Sequence, residues 1–425
     1  MRTDQMVTTI IRACRRALHL LARPMRGNQA EGQLAIQPYR GYGSHDEIFL
    51  MGLVVRQPAA RGHTQAGTLG RDLLDIGRRI LRRGVANAVL VTRFSGTEQR
   101  VTTDRDGYFF VHLHPRQPPP TDQLWHQIEL ELVHPDNSLD TVIGHVFVPP
   151  ESARYVVISD IDDTVIYTGV ANKLKMLWRL FVQGAQSRVA FPGVAALYRA
   201  LYHGVSGADQ NPLLYVSRGP WSIYEVLDEF FQHHDIPVGP VLFLREWGVS
   251  LRHPFPRRAK DHKHVLIREM LQRYPHLPFV LIGDSGQHDP EIYAQMVREH
   301  PGRVLAIYIR NITRDPARRH AIEALAQEVV AAGSSLVLAA DSFAMAEHAA
   351  EHGLIDPGAL AEVLNERVEQ QGDLDLQATH EVKRATKQAT RTAVAHGALD
   401  TALEAEPQDD TPPNVVIEPK DSDAS

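Results

Sequence analysis

The feature that most constrains the fold is a regular alternation of apolar strands and helical patterns after Pro149-Pro150. Parallel strands need a crossover between them, so this alternation predicts an α/β domain with a parallel sheet covered by helices on both faces. The predicted strands lie at residues 155–159, 213–216, 241–244, 279–282, 304–309 and 335–339, and the predicted helices include 194–202, 221–231, 264–274 and 290–300.

The region before this domain has a different pattern. Its apolar runs are short, alternate with polar residues and are separated by turn signals such as Asp104-Arg105-Asp106-Gly107. This pattern is typical of antiparallel strands, and we predict a small β-sandwich over residues 40–149 with one helical insert at about 71–83. The predicted strands of this domain lie at residues 48–55, 88–94, 108–113, 125–133 and 141–148.

The two ends of the chain differ from both domains. Residues 1–30 contain a basic amphipathic helix at 6–23, which could lie on anionic lipid or pack on its own protein. Residues 370–425 have low complexity, and we predict a largely disordered acidic tail. Residues 401–425 hold seven acids and one base, whereas residues 1–400 hold 44 acids and 44 bases.

Composition excludes several functional classes. Because charges balance outside the tail, no global field favours nucleic acid, and no nucleic-acid partner is expected. The single cysteine, Cys14, rules out internal disulfides and CxxC sites, which fits a reducing compartment. The sequence contains no run of 18 apolar residues, so no membrane-spanning helix is predicted. Arg12, Arg15 and Arg16 interrupt the apolar stretch that a signal peptide would need. We therefore expect a cytoplasmic protein that is either free or peripheral on a membrane.

Three acidic residues follow the first predicted strand of the α/β domain. The strand runs directly into Asp160-Ile161-Asp162-Asp163-Thr164, and reactive groups collect at the carboxyl ends of parallel strands. Carboxylates this close repel one another and lose solvation beside a buried strand, so the fold needs a cation there. Mg²⁺ with a phosphate ester meets this need, and an aspartate in this position can attack phosphorus to form an aspartyl phosphate.

Three later segments add phosphate-handling groups at the same edge. Ser217 ends the second strand before Arg218-Gly219-Pro220-Trp221, where its hydroxyl and the free N–H groups would cradle a phosphoryl group. Lys263 starts an apolar helix and would balance charge between the attacking carboxylate and the phosphoryl oxygens. Asp284 and Asp289 follow the fourth strand and could complete the magnesium site.

Taken in order, these residues resemble the four motifs of haloacid dehalogenase-type phosphatases. The words ISDIDDTV, NPLLYVSRGPW, DHKH, FVLIGDSGQHDPEIY and VLAIYIR narrow the resemblance to the catalytic domain of the actin-patch-protein type of phosphatidate phosphatase. The resemblance covers about residues 150–350. It implies a Rossmann-like parallel sheet of the haloacid dehalogenase type over 150–365, Mg²⁺ as cofactor, and conversion of phosphatidate to diacylglycerol. The motif series is Asp160-x-Asp162-x-Thr164, Ser217, Lys263 and Gly283-Asp284-x-x-x-x-Asp289.

The resemblance also implies a role for each residue. Asp160 would be the nucleophile, and Asp162 the general acid that later activates water. Thr164 and Ser217 would hold the site and the phosphoryl oxygens, and Lys263 would balance charge. The implied magnesium ligands are Asp160, Asp162, Asp284 and Asp289.

Two points leave alternatives open. Lys260 competes with Lys263 for the lysine role, and we prefer Lys263 because it opens the apolar helix and matches the family's His-Lys word. The insert at residues 172–182 is apolar on more than one face, so it is either a lid that touches a bilayer or an ordinary buried helix.

The leading functional hypothesis is therefore a phosphatase acting on phosphatidate or another lipid phosphate at a membrane surface. A second hypothesis keeps the same site but assigns a soluble phosphomonoester, such as a nucleotide, a sugar phosphate or a polymer end. A third is a membrane-associated adaptor with a silent site, against which the complete motif set argues. The sequence does not indicate an oligomeric state.

Overall fold

A computed structural model describes the chain in seven segments. Several predicted features fall outside these segments, including the N-terminal helix, both inserts and two of the predicted catalytic residues. The described segments are residues 34–56, 84–133, 139–161, 191–217, 221–243, 259–372 and 415–417. The predictions that lie outside them concern residues 6–23, 71–83 and 172–182, together with Asp162 and Thr164.

The first part of the chain forms an eight-stranded mixed sheet. Strand β3 pairs with β6 along one edge, while β1 and β2 pair with different parts of its other edge; the path then continues through β8, β7 and β4 to β5. The predicted sandwich is not confirmed, because hydrogen bonds join the eight described strands in one sheet. The strands are β1 (Leu34–Pro38), β2 (Gly41–Gly43), β3 (Ile48–Arg56), β4 (Val89–Phe94), β5 (Thr97–Thr102), β6 (Tyr108–Leu113), β7 (Trp125–Val133) and β8 (Leu139–Phe147).

Alternation along the strands gives this sheet its own apolar core. In β7, Ile128, Leu130 and Leu132 are fully buried, while Gln127 and Glu129 on either side of Ile128 are exposed. Successive side chains of a strand point to opposite faces, so the period of two places the apolar set on one face. The same core receives Ile48, Leu50, Val54, Leu90, Phe94, Phe109, Val111, Leu113 and Val146.

The second part forms a seven-stranded sheet that is parallel except for its last strand, in the order β11-β10-β9-β12-β13-β14-β15. All five residues of β9 are buried, as expected for a strand covered on both faces. The prediction of a parallel α/β domain is therefore confirmed. The strands are β9 (Val156–Asp160), β10 (Leu213–Ser217), β11 (Val241–Phe243), β12 (Phe279–Asp284), β13 (Val304–Arg310), β14 (Ser335–Ala339) and β15 (Val415–Ile417).

Helices cover both faces of the parallel sheet and create two apolar cores. One core contains side chains of α1, α2 and α6, and the other contains side chains of α3, α4 and α5. None of the helices in the described segments combines the length and hydropathy of a bilayer-spanning helix. The helices are α1 (Val194–His203), α2 (Tyr224–His233), α3 (Ala259–Arg273), α4 (Asp289–Glu299), α5 (Pro316–Ala331), α6 (Ser342–Glu351) and α7 (360–372).

Aromatic contacts join the mixed sheet to the α/β domain. The ring of Tyr39 stacks on that of Tyr224 with centroids 4.1 Å apart. The ring of Tyr108 meets Trp221 edge-on at 4.8 Å, and the Tyr39 hydroxyl donates to the Trp221 carbonyl at 3.4 Å. Because Trp221 lies shortly after Ser217 in the chain, the mixed sheet packs against the segment that follows β10.

The structure differs from the sequence prediction within the acidic tail. Residues predicted to be largely disordered include β15, which pairs antiparallel with β14 through Leu336 and Ile417, Val337 and Val416, and Leu338 and Val415. The outer edge of β14 offers backbone hydrogen-bonding groups, and three consecutive β-branched residues suit a strand there. Because the tail as a whole contains few apolar residues, this short apolar run did not lead to a predicted strand.

Candidate active site

Parallel pairing brings three predicted site residues to one edge of the sheet. Asp160, Ser217 and Asp284 are the last residues of β9, β10 and β12, and β9 lies between the other two strands. Asp160 pairs in register with Val216, the residue before Ser217. All three side chains are buried, at the edge where open α/β sheets bind their ligands.

Lys263 connects two of the carboxylates at this edge. Its Nζ donates to Asp160 Oδ1 at 2.9 Å and to Asp289 Oδ1 at 2.6 Å, and none of the three residues has exposed surface. Burial alone would lower the pKa of Lys263, but the charges of Asp160 and Asp289 outweigh it and hold that pKa well above its usual value. The ammonium also lies 5.3 Å from the ring centroid of Tyr293, a further favourable contact for a cation.

The turn between β12 and α4 holds the other carboxylates. Asp284 accepts hydrogen bonds from the Gly286 amide at 2.7 Å through Oδ1 and from Gln287 Nε2 at 2.7 Å through Oδ2. The Asp284 amide donates to Asp289 Oδ2 at 3.3 Å. A Cβ atom at Gly283 would lie 2.3 Å from Asp289 Oδ2, so glycine is needed for Asp289 to reach this position.

The three aspartates form a candidate cation site. Asp160, Asp284 and Asp289 each offer a carboxylate oxygen, and these oxygens lie within 4.8 Å of one another. Within the described segments, the Lys263 ammonium bonds to Asp160 and Asp289, so three carboxylates and this ammonium lie close together away from water. Carboxylate oxygens are the ligands that Mg²⁺ prefers, so charge and donor type fit a divalent cation.

A hydroxyl pair supports the backbone of the predicted nucleophile. Ser159 Oγ donates to the Asp160 carbonyl at 2.9 Å and lies 2.5 Å from the Tyr198 hydroxyl. Burial raises the pKa of Tyr198, so this phenol stays protonated and can serve as a donor. The amide of Ile161 donates to the Val216 carbonyl at 3.0 Å, which ties the chain after Asp160 to β10.

A buried arginine lies at the same edge, outside the carboxylate cluster. Arg310 ends β13 in register with Asp284. Its Nη2 donates to Ser342 Oγ at 2.9 Å, and its guanidinium lies 3.8 Å from the ring centroid of Phe191. Burial lowers the pKa of Arg310 to about 10, so the group remains charged near neutral pH.

The structure thus brings together five of the seven site residues predicted from the sequence. Asp160, Lys263, Asp284 and Asp289 are in contact, and Ser217 lies buried at the same edge. Asp162 and Thr164 lie outside the described segments, so their roles stay predictions. Lys260 belongs to α3, and its side chain also lies outside the described part of the structure.

Two residues that contact this site were not singled out from the sequence. Gln287 donates to Asp160 Oδ2 at 3.3 Å in addition to Asp284, and its place between two motif aspartates was the available signal. Arg318 donates from Nε to the Ser285 carbonyl at 2.9 Å and from Nη2 to the Gln287 carbonyl at 2.5 Å. The sequence indicates Arg318 less clearly. Its one unusual feature is a cationic side chain in the first turn of α5, where acidic side chains are usually preferred.

The same segment of the chain matches a known family of catalytic domains. Residues 155–311 match the family described as phosphatidate phosphatase APP1, catalytic domain. Phosphatidate phosphatase APP1 of Saccharomyces cerevisiae is 34% identical over 183 residues, which cover 41% of this chain and 30% of the yeast protein. An uncharacterized protein of Schizosaccharomyces pombe is 29% identical over 163 residues, covering 37% of this chain and 25% of that protein. The aligned region thus spans less than a third of either relative.

The similarity to solved structures is too low to support a conclusion about the fold. A carbohydrate acetylesterase from Xanthomonas citri aligns at 11% identity with a TM-score of 0.24, covering 68% of this chain and 71% of that chain. By contrast, the sequence match includes Asp160, Ser217, Lys263, Asp284 and Asp289. Residues 155–311 are therefore similar in sequence to an APP1-type phosphatidate phosphatase catalytic domain.

Proposed function

We propose that this protein is a Mg²⁺-dependent phosphatidate phosphatase that works through an aspartyl-phosphate intermediate on a domain of the haloacid dehalogenase type. The observation that carries the proposal is the buried cluster of Asp160, Asp284 and Asp289 around the Lys263 ammonium. This cluster lies within a segment that matches catalytic domains of phosphatidate phosphatases. Its parallel sheet presents the carboxylates at the edge where such chemistry is expected.

The reaction is a double displacement at phosphorus. A carboxylate oxygen of Asp160 attacks phosphorus, and the bond to the glycerol oxygen of the lipid breaks. Asp162 gives its proton to that oxygen, so that diacylglycerol leaves as a neutral alcohol. Asp162 then takes a proton from water, which attacks the aspartyl phosphate and releases inorganic phosphate. The role of Asp162 rests on the sequence motif.

Contacts in the structure support the other roles. Lys263 donates to Asp160 and orients its carboxylate, as a nucleophile requires. Ser217, at the end of the neighbouring strand, would donate to a phosphoryl oxygen. Mg²⁺ would be held by Asp160, Asp162, Asp284 and Asp289, where it would supply positive charge beside the carboxylates and the phosphate.

A lipid substrate requires the protein to reach a membrane surface. We therefore include peripheral membrane binding of a cytoplasmic protein in the proposal, through the basic helix predicted at residues 6–23. Each cationic residue near an anionic leaflet contributes about 1 kcal/mol, so Arg12, Arg15 and Arg16 together would change vesicle binding by about a hundredfold.

The proposal is tested by phosphate release from the full-length protein with Mg²⁺ or with EDTA. The substrates are phosphatidate in anionic vesicles and a panel of nucleotides, sugar phosphates and phosphorylated polymer ends. We expect Mg²⁺-dependent release from phosphatidate. Replacing Arg12, Arg15 and Arg16 with Gln should slow that release without changing turnover of a small soluble ester.

Two results would favour the alternatives. Faster turnover of a soluble phosphomonoester, without any effect of vesicles, would support a soluble substrate. Vesicle binding by a folded protein that releases no phosphate from any substrate would support the adaptor with a silent site.

A further inference from the structure

The amide group of Gln287 lies between two carboxylates of the candidate cation site. Its Nε2 donates to Asp284 Oδ2 at 2.7 Å and to Asp160 Oδ2 at 3.3 Å. An amide N–H carries partial positive charge. The Gln287 amide therefore provides part of the positive charge that a cation would provide between the two carboxylates. A cation that bound both carboxylates would meet the same N–H groups, and two positive groups cannot share that position.

Several hydrogen bonds hold the turn that carries Gln287, and Arg318 makes two of them. Arg318 donates to the carbonyls of Ser285 and Gln287 and forms an ion pair with Glu291, in which Nη2 lies 3.1 Å from Oε2. The Gly286 amide is bound to Asp284 Oδ1 at 2.7 Å. These contacts fix the backbone of the turn that carries the partly buried Gln287 side chain.

We infer that Gln287 is a positioning residue that holds Asp160 and Asp284 in place when no cation is bound and is displaced when Mg²⁺ enters between them. The inference rests on the proposed function only in taking Mg²⁺ as the cation. Arg318 keeps the turn in position during the exchange, so that the side chain of Gln287 moves and the aspartates do not.

This role has a thermodynamic signature. A group that stabilises only the cation-free state makes cation binding weaker by the same factor, because its contacts must be lost first. Removing the amide should therefore destabilise the cation-free protein and tighten Mg²⁺ binding. A group that ligates the cation would do the opposite, since its removal weakens binding. A purely structural group would destabilise both states and leave the affinity unchanged.

The test is calorimetric titration of the full-length protein with Mg²⁺ alone, together with melting curves in EDTA and in saturating Mg²⁺. For Gln287→Ala we expect a Kd lower by about three- to tenfold, from the loss of hydrogen bonds to charged acceptors. The melting temperature should fall in EDTA and match that of the wild type in saturating Mg²⁺. Gln287→Asn, which is one methylene too short to reach both carboxylates, should change both quantities in the same direction.

A matched control is Gln295→Ala on α4, whose amide donates to Glu299 Oε1 at 2.8 Å away from the cluster. This variant should keep the wild-type Kd. An unchanged or higher Kd in both Gln287 variants would overturn the inference, as would the absence of Mg²⁺ binding by the wild type. Failure to hydrolyse phosphatidate would refute only the proposed function, because the titration contains no substrate.

Discussion

Buried acids in the two sheets of this protein have different surroundings. In the mixed sheet, Glu131 lies on β7 and accepts a salt bridge at 2.6 Å from Arg93 on β4, whose side chain is 42% exposed. In the parallel sheet, three buried aspartates lie close together, and two of them, Asp160 and Asp289, bond to the ammonium of Lys263. The arginine that pairs with Glu131 also pairs with Glu98 and is open to water, whereas the cluster of three aspartates lies away from water. The gathering of several carboxylates away from water, rather than the burial of one acid, therefore marks the candidate site.

The largest expected effect comes from removing the charge of the nucleophile. Asp160→Asn should lower Mg²⁺-dependent phosphate release by about a thousandfold or more, because an amide does not form the covalent intermediate. Circular dichroism should show a folded protein. Turnover within about tenfold of the wild type would contradict the assignment of Asp160 as the nucleophile. The difference between the acids of the two sheets would then have no consequence for activity.

The next effect concerns the Lys263 ammonium. Lys263→Met removes its buried ion pairs with Asp160 and Asp289, which should lower the free energy of unfolding by about 3–5 kcal/mol in EDTA. Adding Mg²⁺ should recover part of this loss, and urea unfolding measures both values. Arg298→Met is the control, because that side chain pairs with Glu328 at 2.7 Å in solvent. Equal stability of Lys263→Met and the wild type in EDTA would contradict a stabilising role for these two ion pairs.

The smallest effect is expected in the mixed sheet. Glu131→Gln keeps the shape of the side chain and removes a charge whose partner is open to water, so the melting temperature should change by about 3 °C or less. Phosphate release should equal that of the wild type. A large loss of activity would show that the mixed sheet takes part in the site, and the contrast between the two sheets would fail.

Some elements of the fold were predictable to within two residues. The strand predicted at 155–159 is Val156–Asp160, and the one predicted at 279–282 is Phe279–Asp284. Both are continuous apolar runs that end in acids, as expected for strands buried on two faces. The candidate site residues were predictable for the same reason, since each follows such a run or starts the next helix.

Strand β5 is an element that the apolar pattern of the sequence does not predict. Its residues Thr97–Thr102 alternate between partly buried and exposed positions and contain little apolar content, so hydrophobic periodicity does not identify them. Ser95 and Gly96 both have positive φ, 42° and 77°, and join β4 to β5 as a two-residue hairpin. The Ser-Gly pair was the available turn signal. The joining of the strands in one sheet depends on long-range pairing, which alternation along a single strand does not specify.

The sequence by itself determined the parallel sheet, the order of its strands along the chain and the acids at their ends, because these depend on local apolar patterns. Only the tertiary structure decided which atoms meet. Lys263 bonds to Asp160 across 103 positions, and Gln287 reaches Asp160 across 127. Arg318, on helix α5, donates to the carbonyl of Gln287, which lies 31 positions earlier in the chain. Such contacts depend on how helices pack against the sheet, and no local period in the chain records that packing.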